Sequence, residues 1–364
     1  MNTRAMEPNA TSPAHVLAER LRLGKPAEMQ WLDMLIAEGL DQLPLPGASA
    51  TLERWRALAA VGAFDLSLAK LYEGHTDALA ILAELAPTTS WHEPSADGPR
   101  KAQDSWAVWA AEAPGGRTTF VSQADGTVLL HGSKFWCSGA LTAKHALLTA
   151  WDQEGTGPQL IRVNLRAPGI TVDASKWRAV GMAHSASVNV RFANTRAQLV
   201  GAPGDYLQRP GFWHGGAGIA ACWFGGALGL ARALRSAVTR DAAHATAATA
   251  TAAAPLLRSI ALGQVDLALR STAAVLREAA AWIDHDNLAD AREVALRARL
   301  SAEQCAKTVL DAAGRALGAT PFCLDEKFAQ AAADLPVFIR QSHAERDLAA
   351  LGERVAAVPE AWAL

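Results

Sequence analysis

Three textures of apolar and polar positions succeed one another along the chain. From about Pro13 to Pro87 apolar residues recur at steps of three and four, as in VLAERLRL and MQWLDMLIAEGL, the spacing of amphipathic helices. Pro44–Gly47 breaks that texture and Thr51 to Arg54 reopens it. In the run that follows, Gly62 reads as a hinge and Asp65 as a helix N-cap. From Asp104 to Val200 the pattern changes to alternation at every second residue, in WAVWAAEA, RTTFVSQADGTVLLHGSKFWCSG, HALLTAW, PQLIRVNL, GITVD and SVNVRFANTRAQLV. Gln123–Gly126 reads as a hairpin turn and Gly155–Pro158 as a loop.

After Gly204 helical spacing returns. GGAGIAACWFGGALGLARALRSAV is apolar all round and dense in small residues, which predicts a buried helix. HATAATATAAAPLLRSI, with its Thr residues and Pro255, reads as a loop or short helix. Two strong amphipathic helices follow, and Ala312–Gly352 supplies the last, with Gly318 as a helix stop and Pro321 barring continuation. The expectation is an α+β chain. A helical domain (1–103) precedes an antiparallel β-domain (104–203), sandwich- or barrel-like, and a C-terminal four-helix bundle (204–364).

Charge narrows the function classes. A formal net charge of −2 leaves no basic surplus for a nucleic acid. No apolar run is read as long enough to span a membrane, and the polar N-terminus lacks a signal peptide's apolar core, so a cytoplasmic setting is expected. Cys137, Cys222, Cys305 and Cys323 are scattered without metal-ligand spacing, so no metal site is expected. Glu73, His75 and Asp77 do not make one either, because steps of two on a helix point apart; His75 reads as a hydrogen-bonded core residue. Twelve Trp against two Tyr serve a core first and a ring-lined pocket second.

The α, β, α order together with Gly132–Gly139, Phe192–Asn194 and Arg315–Gly318 resembles the acyl-CoA dehydrogenase superfamily of flavoproteins. Asp125-Gly126 through Gly132-Ser-Lys134-Phe-Trp136-Cys137-Ser138-Gly139 is similar to its Gly-x-Lys-x-Trp-x-Ser/Thr strand–turn–strand. Phe192-Ala-Asn194 is similar to its exit from the β-domain, and Arg315-Ala-Leu-Gly318 stands where the family has Gln or Arg before glycines. The resemblance implies FAD, or FMN in the family's monooxygenase branch. It would place Trp136 against the flavin ring, the Cys137 backbone and Ser138 hydroxyl on its polar edge, and Arg315 with Gly318 at the phosphates of a neighbouring subunit's cofactor. A homodimer or homotetramer follows from that sharing.

The family's dehydrogenases take a proton with a Glu at one of two positions. Here those positions read Ser342, beside His343, and Gly218–Ile219. His343 is then the candidate base, with Ser342 beside it and Glu345 as the alternative if the loop register slips. The Thr-Glu-Pro-Gly segment is reduced to Ala110–Gly115, and the Arg-x-x-Phe-Gly phosphate segment is replaced by the Thr/Ala run before Pro255. The layout implies FAD-dependent α,β-dehydrogenation of an acyl-CoA or related acyl thioester, with an electron-transfer partner. The alternative is a flavin-dependent monooxygenase fed by a flavin reductase. A third reading is a structural or interaction homologue that has lost the chemistry.

Overall fold

The computed structural model describes residues 12–86, 104–153, 157–244, 253–358 and 362. Its first helices are α1 (Pro13–Arg22), α2 (Trp31–Ala37), α3 (Thr51–Phe64) and α4 (Leu66–Leu85). The Asp65 carboxylate accepts from the Leu68 N–H and so caps α4, as its place before the apolar run predicts. Gly62 is not a hinge. α3 runs through it unbroken, and an added Cβ there would stand 2.5 Å from the Cys222 carbonyl oxygen, so the glycine lets two helices meet backbone to backbone.

Seven strands follow: β1 (Trp106–Trp109), β2 (Thr118–Ser122), β3 (Val128–Cys137), β4 (His145–Asp152), β5 (Pro158–Asn164), β6 (Ile170–Asp173) and β7 (Val188–Val200). β4 pairs with β5 along one edge and with β1 and β2 along the other, and β2–β3–β7–β5 leads back to β4, closing a barrel. Most pairs are antiparallel, as the alternation predicts, but β1 and β2 join β4 in parallel. Gln123 and Thr127 close the predicted hairpin turn. Residues 155 and 156 of the expected Gly155–Pro158 loop lie outside the described residues. The barrel interior is filled by Phe120, Leu130, Leu148, Ile161, Val190 and Phe192.

The remaining helices are α5 (Asp205–Gln208), α6 (Gly211–Ala243), α7 (Ala253–His285), α8 (Arg292–Leu317), α9 (Thr320–Leu324), α10 (Glu326–Phe338) and α11 (Glu345–Ala356). α6 is the axis of the helical part, packing on α3, α4, α7, α8 and α10. It is long and apolar enough to cross a membrane, against the expectation that no run is, and 72% of that apolar window is buried inside the protein. Pro255 does not end a helix. It sits in the first turn of α7, where an absent N–H costs nothing; residues 245–252 of that run lie outside the described residues. Pro321 likewise opens α9, while Gly318, at φ +67°, ends α8 as predicted.

Candidate functional site

The site is built outward from one irregularity in the barrel. Across β3 and β7, Lys134 pairs with Val190 and Cys137 with Val188, so β3 carries one extra residue, a bulge. Trp136 absorbs it at φ +60°, and its indole is thrown outward, 61% exposed. Asn194 does the same on β7 at φ +55°, a conformation that Asn tolerates better than most residues. Cys137 points the other way, into the barrel core, where burial pushes its thiol up to about 12 and the Sγ donates to the Lys134 carbonyl. Its side chain is therefore inert.

Ser138 ends the bulged strand. Its hydroxyl lies 2.7 Å from that of Ser187, which lies 3.1 Å from that of Ser185. Ser185 in turn donates to the Met182 carbonyl, and the Met182 N–H donates to the Asp334 carboxylate on α10. A row of hydroxyls thus runs from the bulge to the C-terminal helices. The Trp109 indole N–H holds the Ser138 carbonyl from β1 at 2.9 Å.

Beneath the bulge, Lys134 is 2% exposed. Its ammonium donates to Glu112 at 2.7 Å, to the Thr149 carbonyl at 3.0 Å and to the Thr149 hydroxyl at 2.8 Å. Burial lowers its pKa and Glu112 works against that. For Glu112, burial works upward, but the Lys134 ammonium and Thr149 hydroxyl outweigh it and hold the carboxyl below its usual range. Glu112 thereby fastens the Ala110–Gly115 segment to β3.

α4 closes the other side. A narrow cleft is lined by Lys70, Leu71 and Gly74 of α4, by Trp106–Val108 of β1, and by Ser138 and Gly139. His75 holds the two together: its Nδ1 accepts from the Trp106 N–H at 3.1 Å, and its Nε2 lies 3.0 Å from the Asp41 carboxylate. This is the hydrogen-bonded core histidine that the sequence suggests, and among the described residues no group of His, Cys, Asp and Glu could hold a metal.

The C-terminal candidates lie apart from this unit. Ser342 is buried, and its hydroxyl accepts from the Ala344 N–H; His343 is 62% exposed in side chain, with Nδ1 3.6 Å from the Asp347 carboxylate. Glu345 opens α11. Arg299 of α8 donates to the Gln341 carbonyl beside them and to Gly216 of α6. Arg315 is 71% exposed in side chain and pairs with Asp311 one turn back on its own helix, three residues before Gly318. Among the described residues no hydrogen bond or ion pair joins Trp136–Ser138 to Ser342–His343 or to Arg315.

The sequence reading missed the charges on α4. Lys70, Glu73 and Asp77, at steps of three and four, lie on one face of a mostly apolar helix, and Arg54 of α3 is within electrostatic reach of Glu73 and Asp77. The steps of three and four from Lys70 to Asp77 are the signal in the sequence that places them on one face.

Comparison with known proteins adds whole-chain matches. No protein-family model matches the chain, and no curated protein does. Among solved structures, butyryl-CoA dehydrogenase from Megasphaera elsdenii is 16% identical with a TM-score of 0.74, covering 96% of this chain and 100% of that one. The chain has the acyl-CoA dehydrogenase fold. Two further structures share that fold. KijD3 in complex with FMN and a dTDP-sugar is 18% identical, with a TM-score of 0.74 over 96% of this chain and 94% of that one. Dibenzothiophene monooxygenase (TdsC) from Paenibacillus sp. A11-2 is 18% identical, with a TM-score of 0.71 over 94% of each chain. On the acyl-CoA dehydrogenase fold the outward Trp136 and the hydroxyl row beside it set an apolar plane next to directed polar groups, a combination that suits a flat ring with polar edges.

Proposed function

We propose that this protein is a flavin-dependent monooxygenase acting on a small molecule. The observation that carries the reading is the chemistry at the end of α10: Ser342 and His343 stand where the resemblance calls for a carboxylate, and Gly218–Ile219 of α6 offer none. A structure of TdsC with FMN bound, 17% identical with a TM-score of 0.70, supports the choice of cofactor.

In this reading Trp136 flanks the flavin ring, the Cys137 backbone and Ser138 hydroxyl meet its polar edge, and Arg315 with Gly318 meets the phosphate of a flavin shared with a second copy of the chain. A guanidinium suits that last task because its fork matches phosphate oxygens. The reading keeps the three-part division at 103/104 and 203/204, with the β-barrel and C-terminal bundle bracketing the cofactor. The bound reduced flavin, recharged by a partner reductase, supplies the two electrons with which oxygen gives one atom to substrate and one to water. Lys134 and Glu112 keep the bulge in place, so that Trp136 holds its outward position without rearrangement. Ser138, tied through Ser187 and Ser185, fixes a hydroxyl that can donate or accept. His343 holds or releases a proton at the substrate side.

The test begins with the visible spectrum of the purified protein titrated with FMN and FAD. Uptake is expected, and Trp136→Ala should weaken it about tenfold, the loss of one aromatic stacking contact. Photoreduced protein should then reoxidise rapidly in oxygen and should not be bleached by butyryl-CoA without it. Bleaching by the thioester would overturn the reading in favour of a dehydrogenase, and failure to take up either flavin would overturn both.

A further inference from the structure

The interior between α3, α4, α6 and α8 holds several charged side chains. Lys70 and Glu73 are paired at 2.9 Å, Arg209 is paired with Glu84 at 2.7 Å, and Arg299 donates to the Gly216 and Gln341 carbonyls. Arg54 and Asp77 are not so placed. Arg54 is 4% exposed, and its one hydrogen bond among the described residues is to the Pro44 carbonyl at 3.3 Å. Asp77 makes no hydrogen bond or ion pair among the described residues, although its carboxylate is packed so closely on α6 that a Cβ on Gly215 would stand 2.6 Å from Oδ1. One turn further along α6, a Cβ on Gly218 would stand 3.4 Å from the Trp55 Nε1, a fully buried indole N–H with no partner. The Trp223 Nε1, under Arg299, has none either.

Burial lowers the Arg54 pKa and raises that of Asp77, in each case against the pull of the opposite charges nearby. The two belong to one electrostatic neighbourhood yet do not close on each other. A buried cation such as Arg54 costs several kcal/mol unless paired, whereas Asp77 is only half-buried and has Arg209 as well as Arg54 in its electrostatic surroundings. Glycines at 215 and 218 keep the facing surface of α6 free of side chains. Lys70 also lines the cleft beside Ser138, so the charged interior adjoins the turn assigned above to the flavin.

We propose that Arg54, Trp55 and Asp77 are the recognition end of the substrate site and take a small zwitterion. Its anionic group is held by the Arg54 guanidinium and the Trp55 indole N–H, and its ammonium by the Asp77 carboxylate. The proposal rests on the monooxygenase reading only in placing the reacting end of the substrate toward Ser138. A fatty acyl chain does not suit this lining, because its methylenes would leave both charges desolvated and unpaired.

The experiment uses the full chain with FMN added and four probes of matched length: γ-aminobutyrate, butyrate, n-butylamine and n-butanol. Binding is followed by tryptophan fluorescence and by the rise in Tm. γ-Aminobutyrate should bind at least about tenfold more tightly than either singly charged probe, the worth of one further charged hydrogen bond. Arg54→Met should abolish the advantage over n-butylamine, and Asp77→Asn the advantage over butyrate. In the absence of probe Arg54→Met should melt at or above the wild-type temperature, since it removes an under-satisfied buried charge, and Asp77→Asn, at a half-buried position, should melt close to it. Tighter binding of n-butanol or butyrate than of γ-aminobutyrate would overturn the proposal. So would a fall in Tm in both variants with the probe ranking unchanged, which marks structural charges. FMN uptake is read in the same samples. A zwitterion preference without flavin uptake sinks the monooxygenase reading alone, and flavin uptake without the preference sinks this proposal alone.

Discussion

Two buried cations in this protein have opposite surroundings. Lys134 in the barrel meets three acceptors, at 2.7, 2.8 and 3.0 Å, which matches the three N–H groups of an ammonium. Arg54 on α3 meets one carbonyl at 3.3 Å with five N–H groups to place. A fully satisfied buried charge is a fastening, since its desolvation is offset by its bonds. An under-satisfied one carries an uncompensated cost, which is tolerated where a ligand completes it. The difference separates scaffold from recognition within a single chain.

The comparison breaks most visibly at Lys134. Lys134→Ala should destabilise the protein by about 3 kcal/mol in urea unfolding, the usual scale for breaking a buried hydrogen-bonded pair, tempered by the partial exposure of Glu112. It should also release the 110–116 segment to hydrogen exchange. A loss below about 1 kcal/mol would make Lys134 no more of a fastening than Arg54. Next comes Gly62→Ala, which should cost about 2 kcal/mol by overpacking, because its Cβ meets the Cys222 carbonyl and levers α3 from α6. That variant should disturb the surroundings of Arg54 and leave exchange in the barrel unchanged; equal loosening of both would tie the two regions into one unit.

The smallest expected effect is on pH dependence. The Glu112 carboxyl lies below its ordinary value in the folded protein, so its contribution is fully present above the unfolded pKa of about 4.3. It is lost as pH falls through the lower folded value. Stability of the wild type should therefore drop more steeply than that of Glu112→Gln as pH falls below about 4. Parallel slopes in denaturant titrations across that range would remove Glu112 from the fastening.

Much of the layout was legible because it rests on periodicity. Amphipathic spacing marked the helices, alternation marked the strands, and Asp65 and Gly318 marked a start and a stop through backbone requirements that few residues meet. Pro255 and Gly62 misled for a related reason. A proline breaks a helix in its interior and opens one in its first turn, and a glycine serves a hinge or a close contact; the residue alone does not say which. The glycine–lysine–tryptophan stretch was readable as a motif, but the bulge that turns Trp136 outward exists only in the pairing of β3 with β7.

The sequence by itself determined which segments are helix and which strand, because those preferences are settled within a few residues of the chain. It also determined that Gly218, Ile219, Ser342 and His343 are not acidic, since that is a matter of residue identity. Only the tertiary structure decided which buried charges are satisfied. Lys134 finds Glu112, twenty-two residues away, and Thr149 across the barrel, whereas Arg54 reaches only the Pro44 carbonyl and Asp77 packs on Gly215 of α6 without the two closing on each other. Hydrogen bonding is a property of distances, and these distances are set by how the helices and barrel pack, which no local pattern records.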